Sequence, residues 1–276
     1  MKILVVGSAA GGGFPQWNCN CENCKGLRES RMQAKARTQS SIAVSENGED
    51  WILFNASPDI RQQILMHAPL QPKKGIRDTG IKAVVLVDSQ IDHTTGLLLL
   101  REHGELTIYG TEQTHTDLTV HHPILKTLEH YCKLHYHTIQ LNQESFKIPG
   151  FDSIELLPVP LQSEAPPYSP NRGKHVLGSN IGFMITSLKS QKKVFYAPGL
   201  GDMTESLKDT MKQADILLVD GTFWDEEEMI HKKIANKKAS KLGHLPQSGQ
   251  NGMIALLDPM KAERKTASEV LGTPAI

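Results

Sequence analysis

Six consecutive residues, Asp88-Ser89-Gln90-Ile91-Asp92-His93, set two carboxylates, an amide and an imidazole within one short loop. Donors this close can surround a cation, and a mixed carboxylate and imidazole set is harder than three imidazoles. It suits iron or manganese at least as well as zinc. A second loop, Ala197-Pro198-Gly199-Leu200-Gly201-Asp202, supplies another carboxylate behind another apolar run. Asp92, His93 and Asp202 are therefore the expected ligands of a catalytic ion, with open positions for water, oxygen or substrate. Asp88 and Gln90 are expected to work beside them by tuning those ligands. An Asp-His pair at a helix start could merely cap the helix, but the additional oxygen donors weigh against so plain a role.

The run Cys19-Asn20-Cys21-Glu22-Asn23-Cys24 holds three of the four cysteines in the chain. Three thiolates so close can wrap one zinc, which would pin the loop rather than react, although the fourth ligand of a structural site is not evident. Reduced, metal-free thiols are the alternative. His244, in Leu242-Gly243-His244-Leu245-Pro246-Gln247-Ser248-Gly249, could exchange a proton with substrate. A hydrogen bond at a helix start explains it equally well. The histidines at 115, 121, 122, 130, 135 and 137 fall on faces expected to be exposed and are not expected to ligate. Glycines 7, 11, 12 and 13 lack the G-x-G-x-x-G spacing of a dinucleotide loop, and Pro15 stands where the phosphate-binding helix should start. They read instead as backbone that can approach a ligand or a neighbouring strand.

These groups need a scaffold. Strands are predicted over residues 1–7, 40–45, 51–55, 81–87, 106–109, 153–158, 181–186, 193–196 and 215–220 from their apolar runs and the turn residues between them. Ser57-Pro58-Asp59 should cap a helix through Leu65, and residues 111–134 read as two helical pieces parted near His122-Pro123. The proline-rich stretch 158–173 is expected to be a loop at the mouth of the site. Strand pairs in each half with helices between them imply two sheets covered by helices, with ligand loops at one edge.

Thirty basic and thirty acidic side chains cancel, and no long single-sign run stands out, so a nucleic-acid partner is not expected. There is no apolar stretch of spanning length, and the N-terminal run is too short for a signal core, so a cytoplasmic protein is expected. No internal boundary is visible, and residues 1–276 read as a single domain.

The strings Gly7 to Cys21, Asn55-Ala56-Ser57-Pro58-Asp59-Ile60-Arg61-Gln62-Gln63, Asp88 to Gly96, Gly178-Ser179-Asn180-Ile181-Gly182 and Gly243 to Gly249 resemble the coenzyme PQQ synthesis protein B family of the metallo-β-lactamase-like superfamily. The loop keeps the spacing of that superfamily's H-x-H-x-D-H motif, with Asp88 and Gln90 in place of its first two histidines. The resemblance implies an α/β fold, the metallo-β-lactamase-like αββα sandwich of two mixed sheets. It also implies a structural zinc on Cys19, Cys21 and Cys24 and a role in making pyrroloquinoline quinone (PQQ). The implied chemistry is an iron-dependent oxygenase (Fe2+, or Mn2+ or Zn2+ at the same site) that hydroxylates the tyrosine of a Glu-Tyr unit. The implied partner is the PQQ precursor peptide or its Glu-Tyr-derived product, and a homodimer is compatible with it. Carriage of PQQ or its precursor toward the periplasm and metal-dependent hydrolysis are the alternatives, the latter weakened by the two absent histidines. Members of the family continue into a segment beginning His-Ile-Asn-Asn-Thr-Asn. The last residues here, from about Lys265, depart from that pattern, so the family's terminal strand and its histidine are expected to be missing.

Overall fold

The computed structural model describes residues 1–260 and the backbone of the strand at 264–267. Its strands are β1 (Lys2–Gly7), β2 (Ser41–Ser45), β3 (Trp51–Phe54), β4 (Ile81–Val85), β5 (Glu105–Gly110), β6 (Lys133–Thr138), β7 (Ile154–Pro160), β8 (Ile181–Ser187), β9 (Lys193–Ala197), β10 (Ile216–Val219) and β11 (Arg264–Ala267). They form two sheets, ordered β1-β2-β3-β4-β5-β6 and β11-β10-β9-β8-β7. Both sheets are built alike. Three antiparallel strands form a meander, and the following strands run parallel to its last member. The first parallel crossover in each half carries a helix, Ile60–Met66 before β4 and Glu205–Met211 before β10.

Alternation along the strands explains why the sheets stack with helices outside, because successive side chains leave a strand on opposite faces. Ile42, Ile52, Phe54, Ala83 and Val85 pack inward against Phe183, Ile185, Val194 and Tyr196 of the other sheet. The residues between them, Ala43, Leu53 and Val84, face outward beneath Ile60, Leu118 and Leu125. On the other side Phe195, Leu217 and Val219 meet Leu207, Met211 and Met253. This is the expected αββα sandwich. Phe54 stands edge-on to Phe183 at 5.4 Å and to Tyr196 at 5.8 Å, locking the sheets together beside the strand ends that carry the loops.

Three local expectations are revised. Asp59 precedes the helix Ile60–Met66 but makes no side-chain cap. Its carboxylate accepts instead from the backbone N–H and side-chain amide of Gln39 at 2.9 and 3.0 Å. Residues 133 and 134, expected to end a helical stretch, instead open β6, which runs parallel to β5 because the backbone of β5 offers a ladder that a polar edge strand can complete. A strand also exists at the far edge, where the sequence pattern suggested none. β11 pairs parallel with β10 through its main chain, which places no demand on an apolar pattern. Of the atypical ending expected from about Lys265, residues 268–276 lie outside the described residues.

Candidate active site

The chain leaving β4 is held on both sides as it enters the ligand loop. Asn55, just after β3, adopts a left-handed φ of 62° and is fully buried. Its side-chain oxygen accepts from Val87 N–H at 3.1 Å, and Ala56 N–H donates to the carbonyl of His93 at 2.7 Å. On the other side Ile181 N–H donates to the carbonyl of Val87 at 2.9 Å, so both sheets clamp the loop.

Within it, Asp88 Oδ1 accepts from His93 Nδ1 at 2.7 Å and from Gln90 N–H at 2.9 Å. The side chains of His93 and Asp88 are only 6% and 3% exposed. A buried carboxylate accepts and does not donate, so Nδ1 is the imidazole's donor in this contact. This is the arrangement by which proteins orient a metal-binding histidine and raise its basicity. Gln90 spends its side-chain amide on the carbonyl of Glu164 at 3.1 Å. Asp92, half-buried, lies against Gly11, where an added Cβ would approach its Oδ2 to 3.2 Å. The early glycine run thus supplies the close backbone approach expected of it.

The second half of the fold repeats the pattern. Asp220 directly follows β10 and is fully buried, and its Oδ2 accepts from His244 Nδ1 at 2.6 Å. Asp220 is fixed by Leu200 N–H at 3.1 Å and by the Thr222 backbone and hydroxyl at 3.0 and 2.7 Å. Gly243, just before His244, has a φ of 87°, and a Cβ there would lie 2.7 Å from the Glu164 nitrogen. Only glycine allows that packing.

Asp88, Gln90, Asp92, His93 and His244 line one cavity of about 270 Å³, together with Ser163, Pro167, Arg172, Asn180, Phe223 and backbone at Gly11 and Gly199. Asp202 is not among the lining residues. Leu200 turns inward, its N–H taken by Asp220, and Gly201 N–H bonds the Gln162 carbonyl at 2.8 Å. The chain has left the cavity by residue 202, and the exposed Asp202 carboxylate accepts from Met203 N–H at 2.8 Å. The expected trio of ligands is therefore brought together only as far as Asp92 and His93. Asp220 was overlooked in the sequence, although a carboxylate directly behind the apolar run Ile216-Leu217-Leu218-Val219 is the same signal that marked Asp88 behind β4.

Of residues 158–173, expected to be a loop, the first three end β7, and the rest bring Ser163, Pro167 and Arg172 to the cavity. The Tyr168 hydroxyl donates to the Ser89 carbonyl, and Ser169 and Ser89 both donate to the buried Asp117, at 2.8 and 2.6 Å. Burial, reinforced by Asp117, Asp88 and Asp92, pushes the Tyr168 phenol well above its ordinary range, so it stays protonated as a donor.

Away from this cavity, ligand atoms of Cys19, Cys21 and Cys24 all lie within 4.8 Å of one another, the one such trio of metal-type donors among the described residues. Cys21 caps the helix Glu22–Arg28, accepting from Cys24 N–H at 3.5 Å. Burial pushes the Cys21 thiol up, but the Cys24 amide and the flanking thiols outweigh it and bring it below its ordinary value. Burial and the neighbouring sulfurs push Cys24 up to about 12, although the Gln16 N–H pulls the other way. A divalent cation bound by these sulfurs would favour the thiolate form of all three. Of the other histidines, His137 stacks on Tyr109 at 4.7 Å and His115 tilts on Tyr136 at 4.5 Å.

A family model described as the beta-lactamase superfamily domain matches residues 50–268. The chain is 52% identical over 282 residues to coenzyme PQQ synthesis protein B of Nitrosococcus oceani, covering 100% of this chain and 91% of the relative. It is 50% identical over 277 residues to the protein of that name from Methylococcus capsulatus, with the same coverage. The fold matches the crystal structure of Zn(2+)-bound PqqB from Methylobacterium extorquens with a TM-score of 0.86 and 33% identity, over 96% of this chain and 89% of that one.

Proposed function

The chain belongs to the coenzyme PQQ synthesis protein B family within the beta-lactamase superfamily, and we propose that it serves PQQ biosynthesis as an iron-dependent oxygenase. In this reading the substrate is the Glu-Tyr unit of the precursor peptide, and the tyrosine ring is hydroxylated. The observation that carries it is the Asp88-held imidazole of His93 beside the Asp92 carboxylate on one cavity wall. A ferrous ion on Asp92 and His93 would supply, when bound, the binding and reduction of dioxygen.

The chain's own residues do the rest. Asp88 keeps the proton on His93 Nδ1, which leaves Nε2 to ligate. Asp220 does the same for His244, so that its Nε2 can take the phenolic proton of the substrate and return it. Phe223, Pro167, Leu242 and Pro198 give the cavity apolar walls against which an aromatic ring can pack and from which water is displaced. Paired-zinc hydrolysis is disfavoured because Asp88 and Gln90 stand where the superfamily's paired-zinc motif has two imidazoles.

The cysteine trio is assigned a structural zinc. Three sulfurs so close are a soft donor set, and the Methylobacterium extorquens relative is described as Zn(2+)-bound. Unpaired thiols suit a cytoplasmic setting, and among the described residues no helix is long and apolar enough to cross a membrane.

The test loads the full chain anaerobically with ferrous iron, then adds isotopically labelled dioxygen, a reductant and a Glu-Tyr-containing peptide. A product heavier by one labelled oxygen atom is expected, with the second atom leaving as water, and the gain should vanish in His93→Ala. Tight binding with the substrate unchanged would replace this reading by the carrier one. Peptide cleavage with two catalytic zinc ions bound would replace it by a hydrolase.

A further inference from the structure

Among the described residues the cavity is lined by a single permanent cation, Arg172. Its place is fixed from several directions. Arg172 N–H donates to the Ser169 carbonyl at 3.1 Å, the Ser169 hydroxyl is held by buried Asp117, and Asp117 also accepts from Ser89, the residue between Asp88 and Gln90. The turn that presents Arg172 is therefore riveted to the loop that presents His93.

The guanidinium spends one terminal nitrogen, Nη1, on the Ala165 carbonyl at 2.5 Å. Its Nε stands 3.5 Å from Glu164 Oε2, an oxygen that also accepts from Gly173 N–H at 3.0 Å. That contact is long and shared, and the arginine side chain remains 33% exposed. Arg172 lines the cavity, and its planar guanidinium has more donors than these two contacts use, in a fork that matches the geometry of a carboxylate. Asp88 and Asp92, which line the same cavity, would repel an acidic ligand unless a cation received its acid group.

We infer that Arg172 is the specificity residue that recognises a carboxylate of the substrate and so aims the rest of the molecule at His93 and His244. This rests on the reading of the cavity as the substrate site, but not on the redox step. An acidic dipeptide offers two such groups, its acidic side chain and its C-terminus, and either would satisfy the fork.

The test is calorimetric binding of Glu-Tyr, Gln-Tyr, Glu-Tyr amide and Gln-Tyr amide to the full-length protein and to Arg172→Gln and Arg172→Lys. The unmodified protein should prefer Glu-Tyr to the doubly neutral Gln-Tyr amide by about 10- to 100-fold, the range for a hydrogen bond to a charged group. Gln-Tyr and Glu-Tyr amide then show which carboxylate is read. Arg172→Gln should lose the preference while binding Gln-Tyr amide as before, and Arg172→Lys should keep part of it. A preference absent in the unmodified protein, or undiminished in Arg172→Gln, overturns the inference. So does an equal loss for acid and amide in both variants, which would mark collapse of the loop. Arg172-dependent acid preference without oxygen incorporation would keep this inference and remove the oxygenase.

Discussion

Asp88→Asn and Asp88→Ala separate what this carboxylate does for the fold from what it does for the site. In Asp88→Ala, His93 Nδ1 and Gln90 N–H lose an acceptor at 2.7 and 2.9 Å, in a place where the histidine is 6% exposed. Leaving a buried donor unsatisfied costs about 1–3 kcal/mol. The partly exposed Gln90 can recover water, so a total of about 3 kcal/mol is expected, or about 6–12 °C in Tm for a chain of this size. Asp88→Asn keeps the volume and one acceptor oxygen, so it should cost only about 1 kcal/mol. It removes the charge that fixes the tautomer, however. An amide can equally donate to Nδ1, moving the imidazole proton to Nε2 and blocking ligation. Affinity for ferrous iron or zinc, by chelator competition, should therefore fall about 10- to 100-fold in both variants, while melting of the metal-free proteins sets them well apart. Metal affinity within about threefold of the parent in Asp88→Asn, or losses that simply follow the stability losses, would refute the tautomer argument.

Other substitutions probe the remaining parts. Asp220→Asn should leave metal content unchanged and lower kcat about 10²–10⁴-fold with little change in KM, as expected when a proton-transfer group loses its orienting partner; steady-state kinetics decide it. Gly11→Ala pushes a methyl to 3.2 Å from Asp92 Oδ2 at an exposed backbone position. It should weaken metal binding about tenfold with an almost unchanged Tm, whereas Asp202→Ala should change neither. Cys24→Ser, or prolonged chelation, should lower Tm and expose Cys19 and Cys21 to thiol reagents, with the catalytic cavity still able to bind iron.

Much of the architecture could be read from residue order because the inner strands are strongly patterned. The alternation through Ile42-Ala43-Val44 and Ile52-Leu53-Phe54 is the two-faced signature of a sheet buried on both sides. β6 escaped notice because its side chains, Lys133-Leu134-His135-Tyr136-His137-Thr138, carry little apolar signal, and its register is set by the backbone of β5. At the site, Asp88, Gln90, Asp92, His93 and His244 could be named from loop chemistry, and they do share a cavity. Asp202, named as a ligand, does not line that cavity, whereas Asp220, not named, holds His244 beside it. Both follow β-strands in the same sheet, but only the tertiary hydrogen bond from Leu200 N–H to Asp220 shows which one turns inward. Arg172 carries no motif at all, because its meaning comes from a loop folded over a site that is distant in sequence.

Metal analysis of the anaerobically loaded full chain, with the electron paramagnetic resonance of its nitric oxide adduct, addresses the core of the account. One ferrous ion per chain is expected, carrying nitrogen hyperfine coupling from a single imidazole that disappears in His93→Ala, and the ion itself should be lost in Asp92→Ala. Iron retained at full occupancy in both variants would mean that the metal sits elsewhere and that the Asp88-held histidine does not grip it.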